Sequence, residues 1–368
     1  MKSRIFLSPP HMSGFESDFI KNAFDSNFVA PGGENVNVFE DLLEDFVGEN
    51  NHVAVLNSGT SALHLALIML NVEADDEVIC QSNSFVATAN PILYQGAIPV
   101  FVDSEMDTYN MCPILLKEAI IGRIQNGKKP KAIIMVHIYG MPCKFDEIKG
   151  IADSYEIPVI EDSAEALGSK YKSKACGTLG ECGIFSFNGN KIITTSAGGA
   201  LVTKSSDLKK RALYLASQAK LESLDYLHEE IGYNYRMSNI LASIGIAQMK
   251  VLNNHIQKRR ENFDFYQKSL PNLEFLPETS ESFSNRWLTT AVLETNEQRN
   301  NIINGLRNEN IECRPMWKPL HTQPLYSDFP KYINGVSEDL NKRGICLPSG
   351  SNLTLDDLER IILAVSSI

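Results

Sequence analysis

The chain has 368 residues, 43% of them hydrophobic and 21% charged. These are ordinary globular proportions, so disordered and fibrous classes are excluded, and the length suits a large α/β core with a smaller unit beside it. A net charge of −11 argues against nucleic acid and anionic membrane as partners, because both need basic stripes.

In chain order, "VAVLN" reads as a strand and "TSALHLALIML" as a helix. "DEVIC", a helical "VATANPILYQG" and "IPVFVD" come next, then a helix over 113–126, "KAIIMVH", a helix over 145–156 and "IPVIED". Continuous Val/Ile runs separated by helix-length spacers are the mark of βαβ crossovers, which predicts a doubly covered, mainly parallel sheet. Residues 180–203 switch to short β segments, including a strand-like "IITT" after Lys191, and 205–219 reads as helical. Long helices over 237–270 break near Asn253-Asn254. Beyond about residue 271 the pattern is a smaller α+β unit. It has a strand near 288–293, helices near 297–309 and 336–343, and a last helix from Leu355 with a Thr354/Asp357 capping box. The expected division is a large domain over 14–250 and a small domain over 251–368, with an N-terminal arm over 1–13.

The seven cysteines, at 80, 112, 143, 176, 182, 313 and 346, include no C-x-x-C pair. They read as reduced, buried thiols of a soluble cytoplasmic protein with no metal site. "MKSRIFLSPPHM" lacks the apolar run of a signal peptide, and no stretch approaches the ~18 apolar residues of a membrane helix.

Three segments carry chemistry. In "VAVLNSGTSALHLAL" a strand runs through Ser58-Gly59-Thr60 into a helix, which places backbone N–H groups at a helix N-terminus, where a phosphate is favoured. The segment is equally an ordinary N-cap, and it is not a P-loop. In "PVIEDSAEALGS" a buried strand ends on Glu161-Asp162, where ligands of α/β sheets sit, or where an acid simply caps a turn. "CGTLGECG" has the spacing G-x-x-G-x-x-G, not that of a dinucleotide site. In "SFNGNKIITTSAGGA" Lys191 stands with almost no charged neighbour, as a surface turn residue or as an amine in a desolvated pocket. Together an anion cradle, a strand-end acid and a lysine meet the needs of pyridoxal phosphate: a phosphate site, a partner for the pyridine nitrogen, and an amine.

The stretches "VAPGGENVNVFE", "NSGTSALHLAL", "IEDSAEALGS", "SFNGNKIITTSAGGALV" and "GYNYRMSNILASIGIAQM" resemble the DegT/DnrJ/EryC1/StrS family of pyridoxal phosphate-dependent nucleotide-sugar aminotransferases over essentially the whole chain. The resemblance implies the aspartate-aminotransferase-like fold (fold type I). It also implies Lys191 as the Schiff-base lysine and Asp162 as the pyridinium partner. Ser58, Gly59, Thr60 and Ser186 would hold the phosphate, and Phe85 would stack on the ring. Glu165 would lie beside the cofactor, and Asn234 would reach the phosphate of a neighbouring subunit in a homodimer.

"SPPHM", "SNRWL", "RPMWKPLHTQP" and "GICLPSG" resemble the branch that aminates C4 of a UDP-linked 4-keto-6-deoxy-N-acetylhexosamine from glutamate. There Arg314, Lys318 and His321 are candidate substrate contacts or plain surface charges. Other keto sugars linked to GDP or dTDP remain alternatives, as does a non-catalytic binding protein. The family's dehydratases carry histidine where this chain has Lys191, which argues against that activity.

Overall fold

The computed structural model describes residues 2–367. Eight strands form the main sheet in the order His52–Leu56, Gly199–Thr203, Cys182–Ser186, Val159–Asp162, Ala132–Val136, Glu77–Gln81, Ile98–Val102 and Lys331–Tyr332. Gly199–Thr203 runs antiparallel to both neighbours, and every other pairing is parallel. The expected mainly parallel sheet is therefore present.

Its two faces are both dry, for a reason visible along one strand. Ile133 and Met135 pack with Leu116, Ile120 and Ile148 from the helices Pro113–Gln125 and Phe145–Ser154. Ile134, pointing the other way, packs with Leu63 and Leu67 of the helix Gly59–Met69. Alternation of side chains across a strand forces this: with helices on both faces, successive residues along the middle of a central strand all meet apolar partners, and polar ones collect toward the strand ends.

A second, antiparallel sheet has the order Glu274–Phe275, Thr289–Val292, Gly344–Leu347, Arg314–Pro315. The helices Asn296–Asn308 and Leu355–Ser366 cover it around Leu306, Ile345 and Ile361. The Thr354/Asp357 capping box forms, and a second one joins Thr295 to Gln298. The helix Leu252–Ser269 serves both cores: Leu252 and Ile256 join the first, Phe263 and Tyr266 the second. Lys331–Tyr332 then returns to the main sheet beside Ile98–Val102.

Several local expectations are corrected. "IITT" is not a strand; Ile192 and Ile193 are buried in a non-repetitive segment between two strands. "VATANPILYQG" holds a short 3-10 turn, Val86–Thr88, and a five-residue helix, Asn90–Tyr94, because Pro91 suits only a first helical turn. The break between the long helices falls at Lys250-Val251, not at Asn253-Asn254. All seven cysteines are buried and free, and among the described residues no helix is long and apolar enough to cross a membrane.

Candidate active site

The carboxyl ends of the main-sheet strands open onto a cavity of 280 Å³. On one side the helix Gly59–Met69 begins, capped by the Ser58 hydroxyl, which accepts from the Ser61 amide at 3.0 Å. The amides of Gly59 and Thr60, in the first turn, have no intrahelical acceptor and carry the positive end of the helix dipole. Two close approaches keep this cradle open. A Cβ on Gly199 would lie 2.2 Å from the Gly59 nitrogen, and one on Gly59 would lie 3.2 Å from the Phe185 carbonyl oxygen. Ser186, at the end of its strand, lines the same cavity.

Asp162 ends the strand Val159–Asp162 and is 8% exposed. Its Oδ2 accepts the Thr88 hydroxyl at 2.7 Å, and Thr88 is held by Ser84 at 2.6 Å. No cation pairs with Asp162 among the described residues. A buried carboxylate without one is costly, so the cavity is suited to a cationic ligand group at this point.

Lys191 enters from the segment after the Cys182–Ser186 strand. Its Nζ lies 3.7 Å from Glu165 Oε1 and 4.1 Å from the centre of the Trp287 ring. The near-chargeless sequence around Lys191 thus conceals a carboxylate that only folding brings close. Glu165 Oε2 accepts the Tyr139 amide at 2.6 Å. Burial pushes the Glu165 carboxyl above the usual range, and the Lys191 ammonium pulls it partly back. Tyr139 adopts φ 54°, a left-handed conformation that costs a non-glycine residue energy. Its hydroxyl accepts the Trp317 amide at 2.7 Å.

Phe85 is half exposed at the cavity wall, 5.5 Å from the Trp317 ring. Asn188 and Asn190 complete the lining near Lys191. Glu161, next to Asp162, points away from the cavity. Its carboxylate accepts from the amides of Gly177, Leu179 and Gly180 and from His137 Nε2 at 2.9 Å. His137 Nδ1 accepts the Cys143 amide at 3.1 Å, which fixes the proton on Nε2. The G-x-x-G-x-x-G stretch is therefore a loop wrapped around a buried carboxylate.

The remaining candidates lie apart. Arg314 and Lys318 line a 690 Å³ groove that shares Asn190, Trp287 and Trp317 with the cavity. His321 is 5% exposed, with its ring bonded to Ser82 at 2.6 Å and near Glu338 at 3.4 Å. It faces neither opening. Asn234 is exposed, outside the cavity of its own chain. Sequence reasoning missed Thr88, Tyr139, Trp287 and Trp317. Trp287 and Trp317 stand in the stretches "SNRWL" and "RPMWKPLHTQP", but nothing in those stretches shows that the rings reach the cavity, because each comes from a distant segment.

A sheet of this topology with a lysine, a buried acid and a helix-end cradle at its carboxyl edge is the large domain of a fold-type-I pyridoxal phosphate enzyme. The DegT/DnrJ/EryC1/StrS aminotransferase family model matches residues 10–366, and the chain belongs to that family. It is 53% identical to EpsN of Bacillus subtilis (strain 168), named as a pyridoxal phosphate-dependent aminotransferase, over 98% of this chain and 95% of that one. It is 39% identical to the GDP-perosamine synthase of Escherichia coli O157:H7 over 98% and 96% of the two chains. The structure of Spr1654 from Streptococcus pneumoniae in its PLP form, titled a sugar aminotransferase, superposes with a TM-score of 0.92. Identity there is 27%, over 99% of this chain and 98% of that one. The protein is thus a pyridoxal phosphate-dependent aminotransferase. The residues present fit the cofactor: an open amide cradle, a buried acid without a cation, and a lysine share one cavity.

Proposed function

We propose that the protein transfers the amino group of glutamate to C4 of a UDP-linked 4-keto-6-deoxy-N-acetylhexosamine. The observation that carries this reading is that the two cavities adjoin. Asn190, Trp287 and Trp317 line both the lysine-bearing cavity and a larger groove that carries Lys318 and Arg314, the latter paired with Glu312 at 3.0 Å. Cations beside an apolar floor suit a nucleotide diphosphate whose sugar reaches inward.

The cofactor, when bound, supplies a cationic ring that accepts the electron pair released at the amino donor's Cα. The chain's own residues do the rest. Gly59, Thr60 and Ser58, with Ser186, would hold the phosphate, and Asp162 would keep a proton on the ring nitrogen. Phe85 would cover the ring, and Glu165 would lie beside it. Lys191 Nζ takes the proton from Cα of glutamate and, in the second half of the cycle, delivers a proton to C4 of the sugar. Glutamate would leave as 2-oxoglutarate, with water supplying its keto oxygen and the nitrogen retained by the cofactor; the keto sugar would take up that nitrogen, release its oxygen as water and leave as the amine.

A second copy of the chain completes the site in this reading, with Asn234 reaching the neighbour's phosphate. Exposure of Leu224, Tyr226, Leu227 and Ile231 on the same loop supports it, since contiguous apolar side chains in water mark an interface. The two domains meet near residue 250, and the protein works in the cytoplasm.

A GDP-linked 4-keto-6-deoxy sugar is the second reading, favoured by the likeness to GDP-perosamine synthase. The test is a half-reaction screen. The enzyme is loaded with glutamate, then offered UDP-, GDP- and dTDP-linked 4-keto-6-deoxy sugars while visible absorbance is followed. Discharge by the UDP sugar alone is expected; discharge only by another nucleotide sugar sinks the UDP assignment.

A further inference from the structure

The chain has two tryptophans, and both line the cavity. Trp287 presents its ring face to the Lys191 amine at 4.1 Å and is 1% exposed. It is held at both ends by a closed ring of hydrogen bonds. Its indole N–H donates to the carbonyl of Asn190, the residue preceding Lys191, at 2.7 Å. The Ser8 hydroxyl donates to the same carbonyl, also at 2.7 Å. Arg259 closes the circuit: one Nη donates to the Ser8 hydroxyl at 3.0 Å, and the other to the Trp287 carbonyl at 2.6 Å.

Arg259 itself calls for an explanation. It is 1% exposed, no carboxylate pairs with it among the described residues, and its Nε has no acceptor. His11 and His255, stacked on each other at 4.7 Å, feel its charge and that of Glu16, but Glu16 forms no ion pair with it. Burial alone pulls the guanidinium down to about 9. A buried, uncompensated cation destabilises a fold, and an apolar side chain of similar length serves better where packing is the only need.

We infer that Arg259 and Trp287 are positioning residues for Lys191, with Arg259 fixing the indole and the indole fixing the amine. The inference rests on the reading of Lys191 as the cofactor lysine. The geometry accounts for each part. A lysine stem has several rotatable bonds, and its amine forms no hydrogen bond at the distances found here, since 3.7 Å to Glu165 is too long for one. The ring face, 4.1 Å away, therefore adds a cation–π contact to the attraction of the Glu165 carboxylate and gives the amine a flat wall to lie against. The indole N–H pins the backbone immediately before Lys191, so ring and lysine move as one unit. Ser8 brings the N-terminal segment into the same unit, which links the order of that segment to the order of the site.

The test uses the full-length protein freed of cofactor. Pyridoxal phosphate is added at one pH over a range of concentrations, and its capture by Lys191 is followed by visible absorbance, which separates the maximal capture rate from the half-saturating concentration. Trp287→Leu removes the ring face and the bond to Asn190; the maximal rate falls about tenfold, while the half-saturating concentration stays. Trp287→Phe restores a ring face without the bond to Asn190, so its rate lies between those of Trp287→Leu and the wild type. Arg259→Met lowers the rate through the freed Trp287 carbonyl. A wild-type maximal rate in Trp287→Leu, or a change in the half-saturating concentration alone, overturns the inference. If circular dichroism shows that variant to be unfolded, the other two decide, and wild-type capture rates in both overturn it. Failure of the wild type to capture the cofactor, or capture by Lys191→Ala, overturns instead the reading of Lys191 on which this rests.

Discussion

The Thr88 hydroxyl donates to Asp162 Oδ2 at 2.7 Å, across a gap of 74 residues in the chain. Thr88 itself is oriented by Ser84, so a hydroxyl pair from the turn after one strand aims the carboxylate at the end of another. Asp162→Asn keeps the shape and loses the charge. Turnover then falls by about 100-fold or more, because a neutral amide does not hold a proton on the ring nitrogen. Thr88→Val leaves the buried carboxylate one donor short and lowers stability by about 1–3 kcal/mol, read by urea unfolding. Full turnover in Asp162→Asn contradicts the role given to Asp162.

Lys191→Ala removes the only lysine amine lining the cavity among the described residues. The purified variant is colourless and turns over no substrate, while its circular dichroism spectrum is unchanged. Retention of activity ends the assignment.

Gly199→Ala tests the cradle without touching a polar side chain. The new Cβ would stand 2.2 Å from the Gly59 nitrogen and 2.4 Å from the Ser58 carbonyl carbon. Backbone, unlike a flexible side chain, yields only by moving the helix start. Affinity for the cofactor phosphate drops about tenfold or more, and stability falls by about 1–3 kcal/mol. Equilibrium titration with pyridoxal phosphate measures the first effect, and thermal unfolding the second. Wild-type affinity in this variant contradicts the cradle.

Glu165 gives a pH signature. Burial raises its carboxyl in the folded protein, against the pull of Lys191. A raised acid stabilises the fold fully below its unfolded value, near 4.5, and that stability is lost as pH rises through the folded value. Groups facing it are Lys191, Asp162, Tyr139 and Cys346. In the cofactor-free protein, Glu165→Gln therefore flattens the decline in melting temperature just above pH 4.5. A decline of unchanged size assigns it to other groups.

The division between sequence and structure follows individual residues. Lys191, in an irregular segment, stood out only by its near-chargeless surroundings, whereas Asp162 and the Ser58-Gly59-Thr60 turn were legible because each sits where a strand ends, marked by a Val/Ile run stopping at polar residues. The short cradle helix start was legible for the same reason, and so was the capping box at Thr354. The supposed strand after Lys191 was misread because β-branched residues favour strands only where a partner edge is available. There the neighbouring edges are already taken, since Cys182–Ser186 and Gly199–Thr203 pair with each other. Glu165 carried no signal of its pairing, since the sequence around Lys191 looks free of charge.

The sequence by itself determined the doubly covered sheet, which is written in local periodicity, where the period of burial follows from backbone geometry. Tertiary structure alone decided what surrounds the lysine. Ser8, Arg259 and Trp287 come from three separate segments, and Tyr139 from a fourth. No local pattern reports contacts between such distant segments, because they arise only when the packing of both cores fixes where those segments meet.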